Sequence, residues 1–493
     1  MSSNGLGEEA DYSEPHDSST DVESREPGLR TLILLAWPLV VSSSFTTVQV
    51  TISRLFLSWH SVDAATAAVS GVIVFWLPFV LLWTVAGYVA TFVAQYTGAG
   101  RPQRVGPAVW QGLYFSLAAG LLFLVAIPFA DDVFALIAHS PTVQPLEATY
   151  FRCLCWFALP ALITATTSAF FAGRGDTVTV IYINALGAVV NAVLDYCLIF
   201  GRFGFPEMGI TGAGWAIVAG TWASALLGVV LMLRRKYRQE NATLSGWRLE
   251  PGLFWRLMRY GVPSGVQWTL DMTAFTAFMV LIGWFGHDEL AATNLVFAIN
   301  ALAFMPMLGV GQAVTILVGK HLGEDRPQLA ERMTWLGMAV AGAYMGFVSF
   351  LYVALPSVFI VPFRGDNDPA MWQPIAERAA VLLWFVALYS LFDAANIVLS
   401  FALRGAGDTV FVSQVSLFLA WPVMVVPSWL ALKYEWGMYW AWAFATAYIC
   451  VQSLCFLVRF RGGKWKSMRV IEAAVIEKQR SADTAPLFTS ENG

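Results

Sequence analysis

Asp393 is the one carboxylate in the apolar interior of Leu388–Thr409 (LYSLFDAANIVLSFALRGAGDT), a stretch that ends in a glycine turn carrying Asp408, with Tyr389 four residues before it and Asn396 three after. Side chains three or four apart share a helix face, so phenol, carboxylate and amide form one polar strip. A second acid, Asp271, lies mid-way along another apolar run, with Gln267 one turn before it. A third, Asp195, ends the series Asn184, Asn191, Asp195, whose spacing of seven and four again gives one face. A carboxylate at the centre of a bilayer costs roughly 3 kcal/mol on insertion scales and marks an ion or substrate path. Two carboxylates on one cavity repel, so a proton or a sodium ion can be shared between them, with Na+ a candidate at Asp271 and Asp393. Protonation then changes the charge that the site offers, which is exchange chemistry rather than bond-making. The plain alternative for each acid is a structural Asp hydrogen-bonded to kinked backbone. Asp195 falls nearer the outer end of its run, which lowers its burial cost. Arg54 is at a similar level and could pair with Asp195 or Asp63, holding the acid ionised.

The elements that must position these groups are membrane spans. The chain has 493 residues, 57% hydrophobic and 13% charged, against about 25% charged in soluble proteins. Spans need about 20 apolar residues, and twelve are expected: 31–57, 66–95, 107–130, 149–172, 178–200, 209–233, 257–285, 289–318, 334–361, 378–403, 410–432 and 437–459. The division is then a disordered acidic tail (1–28), an amino-terminal six-helix lobe (29–233), a basic linker (234–256), a carboxy-terminal six-helix lobe (257–461) and a second tail (462–493). A short surface helix is expected around 468–480. Pro38, Pro160, Pro263, Pro306 and Pro422 interrupt spans, as neighbouring helices allow. No cleavable signal peptide opens the chain.

Lys and Arg crowd the even-numbered loops and both flanks, with Arg404 counted among them, so both termini are expected in the cytoplasm. The halves form a direct repeat. Gly98-Ala-Gly-Arg-Pro-Gln103 matches Gly323-Glu-Asp-Arg-Pro-Gln328, Pro38 matches Pro263, and Gly-Asp-Thr turns follow spans 4 and 10. Both copies insert the same way round and enclose a central cleft. Asp176 and Asp408 in those turns are expected to cap the following helices.

Other classes find little support. No phosphate-cradling Walker motif appears, which disfavours an ATP-driven pump. A membrane transferase would use Asp131-Asp132 or Asp366-Asn367-Asp368, both in outer loops. Cys153, Cys155, Cys197, Cys450 and Cys455 lie in apolar runs and are expected to be buried hydrophobes. Trp76, Trp83, Trp215, Trp222, Trp268, Trp284 and Trp421 could line a cavity for flat cations, although belt and packing roles are commoner.

The doubled twelve-span layout and the repeated turns resemble the multidrug and toxic compound extrusion (MATE) family over about 30–461. So do Asn191-Ala-Val-Leu-Asp195-Tyr-Cys-Leu-Ile-Phe-Gly201, Gly261-Val-Pro263 followed by Asp271, and Tyr389-Ser-Leu-Phe-Asp393. The resemblance implies an all-α polytopic fold of two pseudo-symmetric lobes and a cation-coupled antiporter exporting organic compounds. Asp271, Tyr389 and Asp393 then match the bacterial NorM-type carboxy-lobe acids and phenol, while Asn191 and Asp195 match the amino-lobe pair used by other branches. Two departures stand out: Ile52-Ser53-Arg54 occupies the place of a Val-Asp-Thr, and Ile217 that of a Thr. The essential coupling acid is therefore expected in the carboxy lobe. No cofactor beyond H+ or Na+, no nucleic-acid partner, small organic substrates, a monomeric state and an inner-membrane location are expected. A lipid or polysaccharide flippase of the same superfamily is the alternative, with a membrane transferase behind it.

Overall fold

The computed structural model describes residues 28–137, 139–365 and 368–472. The expected tail over 1–28 lies outside this range except for Gly28. Among the described residues the structure is all-α, with twelve helices long and apolar enough to cross a membrane. Such runs become helices because hydrocarbon offers no partner for backbone N–H and C=O, and a helix satisfies them internally. They are α1 (Leu29–His60), α2 (Val62–Gly98), α3 (Pro102–Ile137), α4 (Gln144–Gly173), α5 (Thr177–Ile199), α6 (Gly209–Met232), α7 (Pro251–Phe285), α8 (His287–Gly323), α9 (Pro327–Ala354), α10 (Pro369–Ala406), α11 (Thr409–Lys433) and α12 (Met438–Arg461).

Every expected span is present, and several start earlier or end later than expected, α10 most of all, at Pro369 against 378. The linker is shorter than 234–256, because it contains a helical turn over Arg235–Asn241 and α7 already starts at Pro251. Span 9 breaks at Leu355 ahead of Pro356, and a separate short helix follows over Pro356–Ile360, as expected where a proline removes a donor. The surface helix around 468–480 is not formed in its described part: a 3-10 turn, Lys464–Ser467, leads into non-helical backbone to Glu472. Residues 473–480 lie outside the described range.

Pro38, Pro160, Pro263 and Pro306 are carried inside helices. In α11, Ala420–Val425 around Pro422 widens to a π-helix.

The even number of crossings puts both described ends on one face, called here the terminal face. The lobes meet where α1 packs on α8 and α2 on α7 and α8. The crossing of α2 and α8 explains one repeated glycine. A Cβ on Gly98 would lie 2.0 Å from the Lys320 carbonyl oxygen, and one on Gly323 would lie 2.2 Å from that of Gln95. Each glycine thus seats the backbone three residues before its repeat partner, so the pseudo-twofold relation of the halves runs through this contact. Only a residue without a side chain lets the two backbones approach this far.

The segment after α12 straps the seam. Trp465 is fully buried and stacks on Phe460 with centroids 4.6 Å apart. Val470 N donates to Gln95 Oε1 at 2.9 Å, and Gln95 Nε2 donates to the Gly405 carbonyl at 3.0 Å. Glu472 accepts from Tyr96 Oη (2.9 Å) and Arg104 (3.3 Å), and also pairs with Arg256. Lys466 reaches Glu331 at 2.6 Å and Arg469 reaches Asp325 at 3.1 Å. Among the described residues, the hydrogen bonds joining the lobes lie at this end, with Tyr88 Oη to the Arg404 carbonyl (2.8 Å) the deepest.

Candidate functional site

The residue that organises the carboxy lobe is Asp271, half-buried on α7. Its Oδ1 accepts from Tyr448 Oη of α12 at 2.8 Å, and its Oδ2 accepts from Gln267 Nε2 at 3.2 Å. The i, i+4 spacing anticipated the second contact. Gln267 Oε1 in turn accepts from Arg404 Nε at 3.1 Å and from a second guanidinium N–H. Arg404 is 5% exposed. It lies within the last two turns of α10, not in a solvated loop, and its guanidinium carbon sits 5.4 Å from the Trp268 ring centroid and 5.1 Å from that of Phe401. The loop assignment used in counting charges is therefore corrected for this residue.

Asp393, half-buried on α10, joins the same system from the other side. Asn396 Nδ2 donates to its Oδ1 at 3.3 Å and to Gln452 Oε1 at 3.1 Å. Gln452 Nε2 reaches Tyr448 Oη (3.0 Å) and Ser416 Oγ of α11 (2.9 Å). The two acids are thus connected through Tyr448, Gln452 and Asn396 rather than by direct sharing. Among the described residues the second oxygen of Asp393 has no donor. Tyr389 is only 6% exposed and its Oη accepts from Asn300 Nδ2 of α8 at 3.2 Å. It shares the helix face of Asp393 but its hydrogen bond fixes α10 on α8.

In the amino lobe, Asp195 lies near the end of α5 as expected, yet it is fully buried there, so its position does not lower its burial cost. Ser53 Oγ of α1 donates to its Oδ2 at 2.5 Å. With its amide nitrogen facing the carboxylate, Asn191 donates to the same oxygen at 3.3 Å and accepts from Ile217 N at 3.1 Å. Among the described residues Oδ1 of Asp195 has no partner. Arg54 is exposed, and no ion pair joins it to Asp195 or Asp63 among the described residues. The permanent salt bridge considered from the sequence is therefore absent, because Ser53, not Arg54, is on the face of α1 turned to α5. Asn184 is placed apart from this cluster and donates to Ser42 Oγ at 2.6 Å.

The Gly-Asp-Thr turns divide in role. Asp176 caps α5, accepting from Thr179 N at 3.3 Å and Thr179 Oγ1 at 2.8 Å. Asp408 makes no side-chain cap; its carboxylate is taken by Arg459 Nε (2.6 Å) and Nη2 (3.1 Å) of α12. That expectation is corrected for the second copy.

The MatE family model matches residues 38–197 and 263–430, one block in each lobe. The chain belongs to the MatE family. Among curated relatives, a probable multidrug resistance protein NorM of Xanthomonas campestris is 30% identical over 416 residues, covering 82% of this chain and 87% of the relative. A NorM of Brucella suis is 27% identical over 434 residues, covering 87% and 91%. Among solved structures, an outward-facing multidrug resistance MATE family transporter superposes with TM-score 0.81 at 18% identity, covering 89% of this chain and 97% of that one. A MOP superfamily transporter from Pyrococcus furiosus gives 0.80 at 18% identity with the same coverage.

Within this MatE member, sequence reasoning missed Arg404, Tyr448, Gln452, Ser416 and Ser53. Arg404 was legible in principle. It follows Asp393 by eleven residues, three helical turns, and so shares its face. Tyr448 and Gln452 form an i, i+4 polar pair in an apolar span, the pattern by which membrane helices hold one another. Of the tryptophans considered for cation contact, Trp268 meets a cation, and that cation is the chain's own Arg404.

Proposed function

We propose that this MatE member is a secondary active antiporter that exports organic, often cationic, compounds in exchange for H+ or Na+ by alternating access. The observation that carries the reading is the continuous polar chain from Asp271 through Tyr448, Gln452 and Asn396 to Asp393, set among apolar spanning helices. Acids at such depth need a compensating ion during part of a cycle, and an organic cation and a coupling ion can compete for the open oxygen of Asp393. The NorM names of the relatives support the substrate class, and the doubled lobes support a rocking motion.

We place both termini in the cytoplasm, on the count of Lys and Arg by loop. The chain then acts as a monomer of the inner membrane, and the sealed terminal face makes the present conformer outward-facing. Asp195 with Ser53 and Asn191 forms a second, smaller ion site. A flippase is disfavoured, because the open groups of the carboxy-lobe site are acids. Reconstitution decides the matter: proteoliposomes should accumulate an organic cation when a pH or sodium gradient is imposed. Equal uptake without any gradient would overturn the reading.

A further inference from the structure

The carboxy-lobe site can be read as a charge count. Its interior holds two acids, Asp271 and Asp393, and one cation, Arg404. The nearby Asp408 is already closed on Arg459 at 2.6 Å. Asp288, Glu289 and Arg378 pair with one another at the far face. With all three groups ionised, the site carries one negative charge in excess.

Arg404 does more than contribute charge. Both of its donors to Gln267 go to Oε1, which fixes that amide with Nε2 turned to Asp271. Asp271 consequently has a donor on each oxygen, from Gln267 and from Tyr448. An acid so surrounded has its hydrogen-bonding capacity met by the protein and a buried guanidinium beyond Gln267 to balance its charge, and removing a buried charge's compensation is costly. Among the described residues Asp393 receives only Asn396, at 3.3 Å, on one oxygen. It is the member free to exchange its ion.

We propose that Arg404 sets the charge number of the site: by cancelling one acid it makes the site accept a single positive charge, selecting singly over doubly charged organic cations. This rests on the antiporter reading above. Arg404 acts through Gln267 and is a positioning residue, since it is buried behind that amide and Trp268. Exchange is then one H+ or Na+ for one monocation, and a dication must leave a surplus charge in a half-buried site.

The test uses the full-length protein in nanodiscs and two aromatic cations of similar size and shape, 1-methyl-4-phenylpyridinium (one charge) and methyl viologen (two). Wild type should bind the monocation more tightly. Arg404→Gln should shift the ratio of the two Kd values toward the dication by about tenfold, the scale of one unit charge acting across a partly buried site. Arg404→Lys keeps the charge and should keep the wild-type ratio, which a purely structural role would not distinguish. The backbone carbonyl that takes Tyr88 is retained in both variants, so the seal between lobes persists. An unchanged ratio in folded Arg404→Gln overturns the proposal. Should that variant not fold, the wild-type ratio decides, and tighter binding of methyl viologen overturns it. Failure of wild-type proteoliposomes to take up 1-methyl-4-phenylpyridinium under any gradient would instead remove the antiporter reading, whatever the binding ratio.

Discussion

Asp393 keeps one oxygen free of protein donors, whereas both oxygens of Asp271 are engaged. Asp393→Asn is therefore expected to abolish gradient-driven uptake in proteoliposomes while leaving expression intact, and Asp271→Asn to do nearly the same. Tyr448→Phe removes one hydrogen bond to a charged group, worth about 1.5–3 kcal/mol, and should weaken cation transport by about tenfold or more. Asp195→Asn should retain a measurable fraction of uptake, since Ser53 stands where a second acid would otherwise complete that site. An inactive Asp195→Asn beside an active Asp393→Asn would reverse this order and assign coupling to the amino lobe. The acids were legible in the sequence because charge in a greasy run is conspicuous. Of their uncharged partners, Gln267 and Asn396 were legible by spacing on the same helix, whereas Tyr448 and Gln452, on another helix, look like packing residues until a carboxylate is placed against them. Arg404 was read as part of a glycine turn because two glycines follow it, yet α10 continues through Gly405 to Ala406.

At the scale of elements, equal motifs have diverged in work. Asp176→Asn loses a helix cap and should cost about 1 kcal/mol. Asp408→Asn leaves Arg459 unpaired beside a buried position and should cost about 3 kcal/mol, nearer the range for breaking a buried ion pair. Denaturation of the purified variants in detergent measures both, and equal losses would contradict the division. The spans themselves were legible to within a few residues, because length and apolarity decide them. Where they were not, a proline or a polar start intervened: Leu355 ahead of Pro356, and Pro251 opening α7 well before its apolar part. The strap after α12 gave no periodic signal, since it is held by single side chains and not by a repeating face.

For the whole molecule, cysteine labelling tests sidedness. Residues 286–289 should react from outside the cell and 101–106 should stay silent, and the opposite pattern would invert the topology. The strap should respond to acid in a defined window. Burial alone would raise the Glu472 pKa, but its bonds to Arg256 and Tyr96 hold it down at about 2. Because the folded value lies below the ordinary carboxylate range, its contribution is complete above about pH 4.5. It is lost only as the pH falls toward 2. Hydrogen-exchange protection of the Val470 amide, corrected for the intrinsic rate, should accordingly be constant between pH 8 and 5. Glu472→Gln should lower that protection at neutral pH.

The strap also has a consequence for how the protein is made. Each of the twelve spanning helices among the described residues precedes Lys464 in the chain, so a ribosome must finish the bundle before the strap residues emerge. Until Val470 and Glu472 reach Gln95, Tyr96 and Arg104, the terminal face lacks these ties and is held by helix packing and by the bonds of Tyr88 and Gln95 to the end of α10. Nascent chains stalled ahead of Lys464 should thus be cleaved at the α2–α3 turn by a protease added from the cytoplasmic side, and chains released after Glu472 should resist it.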